Sequence, residues 1–99
     1  MTAMDILISY DVNTETKAGR RRLRRVAKLC TGYGQRVQYS VFECTVSETL
    51  FEQVKQRLLA EINPQEDSLR IYHLPGGRKN LAEAFGRDGY RDFSDPLIL

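Results

Sequence analysis

An alternating pattern at the start of the chain constrains the fold most. Every second residue is apolar, at Met4, Ile6, Ile8 and Tyr10. This period of two is typical of a β-strand with one buried face. Residues 13–16 then supply helix-capping residue types, and residues 17 to about 31 carry apolar side chains at helical spacing until Gly32 and Gly34. The chain is therefore predicted to begin with a strand followed by an amphipathic helix.

Strand and helix patterns continue to alternate along the chain. Residues 35–46 are rich in Val, Tyr, Phe and Thr, which predicts one long strand or a strand pair. Ser47 begins a second helix that Asn63 and Pro64 end, and residues 68–74 form a further strand. The predicted core stripe of the second helix is Leu50, Phe51, Val54, Leu58 and Ile62.

This order of elements predicts the α+β class. It matches the ferredoxin-like βαββαβ arrangement, in which both helices cover one face of an antiparallel sheet. We expect one domain over residues 1–77 and a C-terminal extension over residues 78–99. The other face of the sheet stays open, and in so short a chain it is usually covered by a second protomer, another partner or nucleic acid.

The length of 99 residues allows one small core, so a shallow or shared site is expected rather than a deep private one. Cys30 and Cys44 have no metal-ligand spacing and are too few for a disulfide framework, which favours two buried thiols in a reducing cytoplasm. The apolar run of the first strand has Asp5 and Asp11 at its ends. This pattern fits neither a signal peptide nor a membrane span.

Positive charge is concentrated in the first helix. Six of the fifteen Lys and Arg residues fall within nine positions: Lys17, Arg20, Arg21, Arg22, Arg24 and Arg25. Like charges four residues apart cost roughly 0.2–0.5 kcal/mol per pair, and cations near a helix N-terminus oppose its dipole. A helix that tolerates these costs is predicted to meet an anion, and a phosphate backbone suits a row of guanidinium groups. A merely solvated charged face is the alternative.

Asp11 closes the first strand just before a polar loop. A carboxylate there can hold a hard divalent ion, although a turn or helix-capping role is an equally common fate. Asp5 lies six residues away along the same strand, roughly 20 Å, so a second carboxylate would come from another chain. His73 is more typical of a sheet residue than of a catalytic group. For the aromatic residues, core packing is favoured over stacking on nucleic-acid bases; these are Tyr10, Tyr39 and Phe42.

Three segments give the chain a resemblance to a known family. Residues 6–12 (ILISYDV), 24–29 (RRVAKL) and 34–43 (GQRVQYSVFE) resemble the small spacer-acquisition protein of CRISPR-Cas systems, the Cas-two family. The resemblance implies a ferredoxin-like homodimer whose last strand, here around Leu97 to Leu99, pairs with the partner protomer. It implies a metal-dependent endonuclease (CRISPR-associated endoribonuclease) acting on RNA or DNA in antiviral defence. The family also forms the dimeric centre of the integrase complex.

The resemblance also implies roles for individual residues. Asp11 takes the catalytic position and binds the divalent metal, Mg²⁺. Arg25 and Arg36 fall where the family contacts nucleic acid, together with Arg20, Arg21 and Arg24 of the same helix. Ser40 and Phe42 belong to the family's strand motif. Two functions stay open: an endonuclease that uses Asp11, and a non-catalytic dimeric DNA-binding scaffold for the integrase partner protein.

Overall fold

The computed structural model describes residues 3–75, which form a four-stranded antiparallel sheet and two helices. The elements follow one another as β1 (Met4–Asp11), α1 (Lys17–Tyr33), β2 (Gly34–Gln38), β3 (Val41–Val46), α2 (Glu48–Glu61) and β4 (Ser68–Leu74). The strand order β2-β3-β1-β4 and the βαββαβ sequence confirm the predicted ferredoxin-like fold. The expected C-terminal pairing strand lies outside the described residues.

The core lies between one face of the sheet and the two helices. β1 buries every second residue, and the register places its Ile6 opposite Cys44 and its Ile8 opposite Phe42 of β3. The helices add Val26 and Cys30 from α1 and Val54 and Leu58 from α2. The alternate residues of β1, Leu7, Ser9 and Asp11, therefore point to the face of the sheet opposite the helices, which we call the open face because no other described element covers it.

A hydroxyl side chain caps the N-terminus of each helix. The Oγ1 atom of Thr16 accepts a hydrogen bond from the Gly19 amide at 3.0 Å, and Ser47 Oγ accepts one from the Leu50 amide at 3.2 Å. Each bond satisfies an amide that the first helical turn leaves without a partner.

The first helix runs further than the sequence predicts. It continues through Gly32 to Tyr33, and Gly34 is already the first residue of β2. A Cβ atom on Gly32 would meet nothing, whereas one on Gly34 would overlap Cys44 Sγ and the Glu43 carbonyl oxygen. The glycine that matters is therefore Gly34, because it lets the end of α1 approach β3 closely.

Two predicted core residues are exposed. Residues 35–46 form a strand pair whose turn contains Tyr39, and this side chain is 81% exposed. Leu50 is 41% exposed and lines a surface groove together with residues of α1, so its predicted place in the core stripe was wrong. The buried positions predicted for Tyr10 and Phe42 are confirmed. His73 is a β4 residue, as predicted, and its ring meets the edge of Phe51.

Within residues 3–75, neither helix is long and apolar enough to cross a membrane.

Candidate functional site

Asp11 is the last residue of β1 and is exposed at the edge of the open sheet face, where Ser68 of β4 is its register partner. Within residues 3–75, its carboxylate makes no hydrogen bond or ion pair. The turn and capping roles belong to other residues, since Thr16 caps α1 and Asn13 Oδ1 accepts a hydrogen bond from the Glu15 amide at 2.9 Å. Asp11 is therefore available to an external cation.

A metal at Asp11 would need further ligands. Among the described residues, no group of three or more His, Cys, Asp or Glu side chains is placed to hold a metal ion. Asp5 is at the far end of β1 and accepts a hydrogen bond from the Thr45 hydroxyl. Over residues 3–75, Asp11 is therefore not part of a set of three or more such side chains placed to hold a metal ion.

An ion pair that the sequence did not reveal fixes the loop after Asp11. The buried carboxylate of Asp67 accepts two hydrogen bonds from Arg22, from Nε at 2.9 Å and from Nη2 at 3.2 Å. It also accepts hydrogen bonds from the backbone amides of Asn13, at 3.0 Å, and Asn63, at 2.8 Å. One carboxylate therefore joins the loop after β1, the first turns of α1 and the turn before β4.

These hydrogen bonds decide the ionisation of Asp67. Burial by itself would raise the pKa of this carboxyl, but hydrogen bonds from Arg22 and from the amides of Asn63 and Asn13 outweigh it and hold the pKa below its usual value. The same contact raises the pKa of Arg22. Both groups are charged at neutral pH, and Arg22 is committed to the fold rather than to a ligand.

The remaining arginines of α1 form an outward cationic face. Four of them are exposed: Arg20, Arg21, Arg24 and Arg25. Arg20 Nη1 donates to the Thr14 carbonyl oxygen at 3.1 Å, and Arg25 Nη1 lies 4.0 Å from Glu61 Oε2. Arg21 and Arg24 have no ion-pair partner in the described part of the chain. Acidic neighbours are therefore scarce along this face of the described chain, and its like charges repel one another.

Arg36 lies apart from this face, on β2. Its guanidinium group is 5.1 Å from the centre of the Phe42 ring and 5.6 Å from that of Tyr39. Burial raises the pKa of the Tyr10 hydroxyl, and the adjacent Arg36 offsets part of that rise. Arg36 therefore braces the β2–β3 turn while its side chain remains exposed.

The two motif residues support the end of β1. The Ser40 carbonyl oxygen accepts a hydrogen bond from the Tyr10 amide at 3.1 Å. The Phe42 ring stacks on that of Tyr10, with centroids 6.2 Å apart and planes 20° from parallel. Both contacts hold Tyr10, the residue that precedes Asp11 in β1.

Neither cysteine can act as a nucleophile. Both are free and buried, as the sequence predicted. Burial raises the pKa of Cys30 to about 12 and that of Cys44 to about 11, so both thiols stay protonated at neutral pH.

Asp67→Asn should lower the free energy of unfolding by about 3 kcal/mol at neutral pH, because it leaves the Arg22 charge without its partner. The native pKa of Asp67 is depressed, so its contribution is complete above the unfolded pKa of ~3.9 and is lost as the pH falls through the lower native value. Denaturant titrations across this range should show the two proteins converging. The control Glu66→Gln removes an exposed carboxylate 3.9 Å from Arg22 and should cost less than about 0.5 kcal/mol. Equal losses of unfolding free energy in the two variants would contradict the conclusion that Asp67 is the main partner of Arg22.

Comparisons with known proteins agree with this geometry. The family model described as CRISPR associated protein Cas2 matches residues 4–80. A relative from Moorella thermoacetica named CRISPR-associated endoribonuclease Cas2 1 is 54% identical, covering 97% of this chain and 100% of its own length. One from Chlorobaculum tepidum, named CRISPR-associated endoribonuclease Cas2, is 51% identical with the same coverage. The crystal structure of Streptococcus pyogenes Cas2 superposes with a TM-score of 0.76 at 53% identity, covering 84% of this chain and all of that one. The chain therefore belongs to the CRISPR-associated Cas2 family, the Cas-two family that the sequence segments resemble.

Proposed function

We propose that this protein is a metal-dependent endonuclease of CRISPR adaptation that cleaves RNA or DNA phosphodiester bonds with Asp11. The observation that carries the proposal is an exposed carboxylate at a rigid strand end, without an ion pair in residues 3–75. The names of the Moorella and Chlorobaculum relatives support the reaction class. Asp11 would act from a homodimer, because one carboxylate is too small a ligand set for a hard cation.

The open face of the sheet is the surface we propose for dimerisation. Tyr72 of β4 is 45% exposed there, and Leu7 and Val41 lie half-buried on the same face. A second copy would cover these side chains and bring the two Asp11 residues to a common axis. The carboxyl oxygens of two such residues suit Mg²⁺, which prefers oxygen ligands. A bound Mg²⁺ ion would make a water molecule more acidic and polarise the phosphodiester.

The cationic face of α1 would hold the nucleic acid. Its exposed arginines offer charge and bidentate geometry to phosphate oxygens, without an arrangement that reads base edges. Arg36 would add a contact at the β2–β3 turn. Binding by these groups is predicted to be largely independent of sequence and strongly dependent on salt.

A second candidate function is a non-catalytic DNA-binding scaffold for an integrase partner protein. The exposed arginines of α1 favour it, because they can hold DNA phosphates without a metal ion. The scaffold needs the same dimer and the same cationic face, but it does not need the Asp11 carboxylate. The two functions therefore differ at one side chain.

Dimerisation through the sheet predicts that Tyr72→Glu weakens self-association about 100-fold, because a buried unpaired charge costs roughly 3 kcal/mol. Light scattering should give about twice 11.4 kDa for the wild type and a smaller mass for the variant. Leu59→Glu, at a leucine of α2 that is 51% exposed, is the matched control and should remain dimeric. A wild type that stays monomeric at micromolar concentration would reject the shared site.

Phosphate binding by α1 predicts a salt dependence that follows its arginines. Replacing Arg21, Arg24 and Arg25 with alanine should reduce the log-log slope of duplex affinity against salt by roughly 0.9 for each phosphate that the variant no longer neutralises. The control Lys55→Ala removes a cation that already pairs with Glu52 at 3.3 Å and should leave the slope unchanged. Unchanged binding in the triple variant would make α1 a merely solvated face.

Asp11→Asn should abolish divalent-dependent cleavage and leave both the dimer and nucleic-acid binding intact. The amide keeps the shape of the side chain but removes the charge that a hard cation requires. Cleavage assays on RNA and DNA, with Mg²⁺ or with chelator, would be paired with Ser68→Ala, a control at the register neighbour of Asp11. Wild-type cleavage by Asp11→Asn would reject Asp11 as the catalytic residue. A wild type inactive on every substrate would favour the scaffold.

A further inference from the structure

The open face of the sheet carries more acids than cations. By alternation along β1 and β3, the carboxylates on this face are those of Asp5, Asp11 and Glu43. The four described strands contain two arginines and no lysine. Arg36 lies on the helical side, where it packs against the Phe42 ring. Arg70 of β4 is therefore the one Lys or Arg that the strands of residues 3–75 place on the open face.

Arg70 lies beside Asp11 without pairing with it. It is the next residue on the same face of β4 after Ser68, the register partner of Asp11. Diagonal neighbours of this kind are roughly 7–8 Å apart, a distance that a long side chain can span. Arg70 Nη1 donates instead to the neutral hydroxyl of Tyr72 at 3.2 Å, and within residues 3–75 the guanidinium makes no ion pair. Its charge is exposed to any group that approaches the open face.

The proposed dimer would bring like charges together. A twofold axis beside Asp11 sets this carboxylate against its own copy, because both protomers use the same patch. Two carboxylates that approach while losing water repel each other, and the repulsion opposes association. The same symmetry brings two Arg70 guanidinium groups to the axis, one from each protomer. Equal numbers of carboxylates and guanidinium groups would then meet there.

We propose that Arg70 is the counter-charge of the Asp11 pair, and that its guanidinium bridges to the Asp11 carboxylate of the second copy when no metal ion lies between the two carboxylates. The inference rests on the proposed function in taking the dimer and the position of its axis. Tyr72 holds Arg70 on the open face and leaves its charge unpaired, so the guanidinium is available for this bridge. A bound Mg²⁺ ion would place positive charge at the same point, so the metal and Arg70 would have similar effects on association.

Substitutions at the two residues separate a charge effect from a packing effect. Asp11→Asn removes the repulsion and the attraction together, so the dimer should persist. Arg70→Gln removes only the attraction and should raise the dimer dissociation constant about tenfold in low salt with chelator. The double variant should return to within about twofold of the wild-type constant, because no repulsion remains. Analytical ultracentrifugation of the four proteins measures this coupling.

Three further variants test charge against shape. Arg70→Lys keeps the positive charge and should retain most of the association. Tyr72→Phe removes the oxygen that accepts from Arg70 but keeps the charge, so the dimer should be nearly unchanged. Arg57→Gln is the matched control, because Arg57 is exposed on α2 and has no ion pair in residues 3–75. Equal losses in Tyr72→Phe and Arg70→Gln would overturn the proposal, since they would assign the effect to the hydrogen bond.

Magnesium gives a second readout that does not use cleavage. Excess Mg²⁺ should restore the association of Arg70→Gln to near the wild-type value and should not change that of the double variant. Unchanged association in Arg70→Gln, or a double variant as weak as Arg70→Gln, would overturn the proposal. A monomeric wild type would reject the dimer and the bridge together, whereas a dimeric wild type without this coupling would reject the bridge alone. An inactive nuclease would alter none of these measurements, so a failure of the proposed cleavage would be recognised separately.

Discussion

The Arg22–Asp67 ion pair is the contact on which the arrangement of the site depends. The pair is charge-assisted and bidentate. The Asp67 carboxylate also accepts hydrogen bonds from backbone amides of two loops. Those loops follow β1 and precede β4, the two strands whose pairing places Asp11 opposite Ser68. Without the ion pair, the buried Asp67 carboxylate would keep only its two amide donors, and Arg22 would keep only the exposed Glu66, 3.9 Å away. The ion pair therefore fixes the two loops that flank the strand end at which Asp11 lies.

The same ion pair also divides the arginines of α1 by role. Arg22 turns inward to Asp67, which leaves its neighbours Arg21 and Arg24 exposed on the outward face. The packing of Val26 and Cys30 into the core sets which side of α1 faces solvent, and the Arg22–Asp67 pair adds a second attachment near its N-terminus. The other arginines are therefore presented in a fixed row. Phosphate binding would then require little reordering of the backbone, which limits the entropic cost of association.

Sequence periodicity was enough for the fold and for the place of Asp11. The period of two in β1 and the helical spacing in α1 are local signals, and the structure keeps both. The Arg22–Asp67 pair spans 45 residues, and Arg22 is one arginine among five in its segment, so no local pattern marks it. The burial predicted for Leu50 was wrong for a related reason. Helical spacing shows which residues of α2 share an apolar face, but not which of them the rest of the fold leaves exposed.

The two predicted motif residues make structural contacts in this chain. Ser40 and Phe42 contact Tyr10 and leave the side chain of Asp11 free of partners in the described region. The fold therefore holds the carboxylate in place without using it, and its loss should cost little stability. Under the proposed function, one substitution at Asp11 would remove cleavage and leave the proposed dimer and the cationic face of α1 intact. The nuclease function and the scaffold function would then use the same fold. They would differ only in whether the Asp11 carboxylate is needed, and the fold does not depend on that side chain.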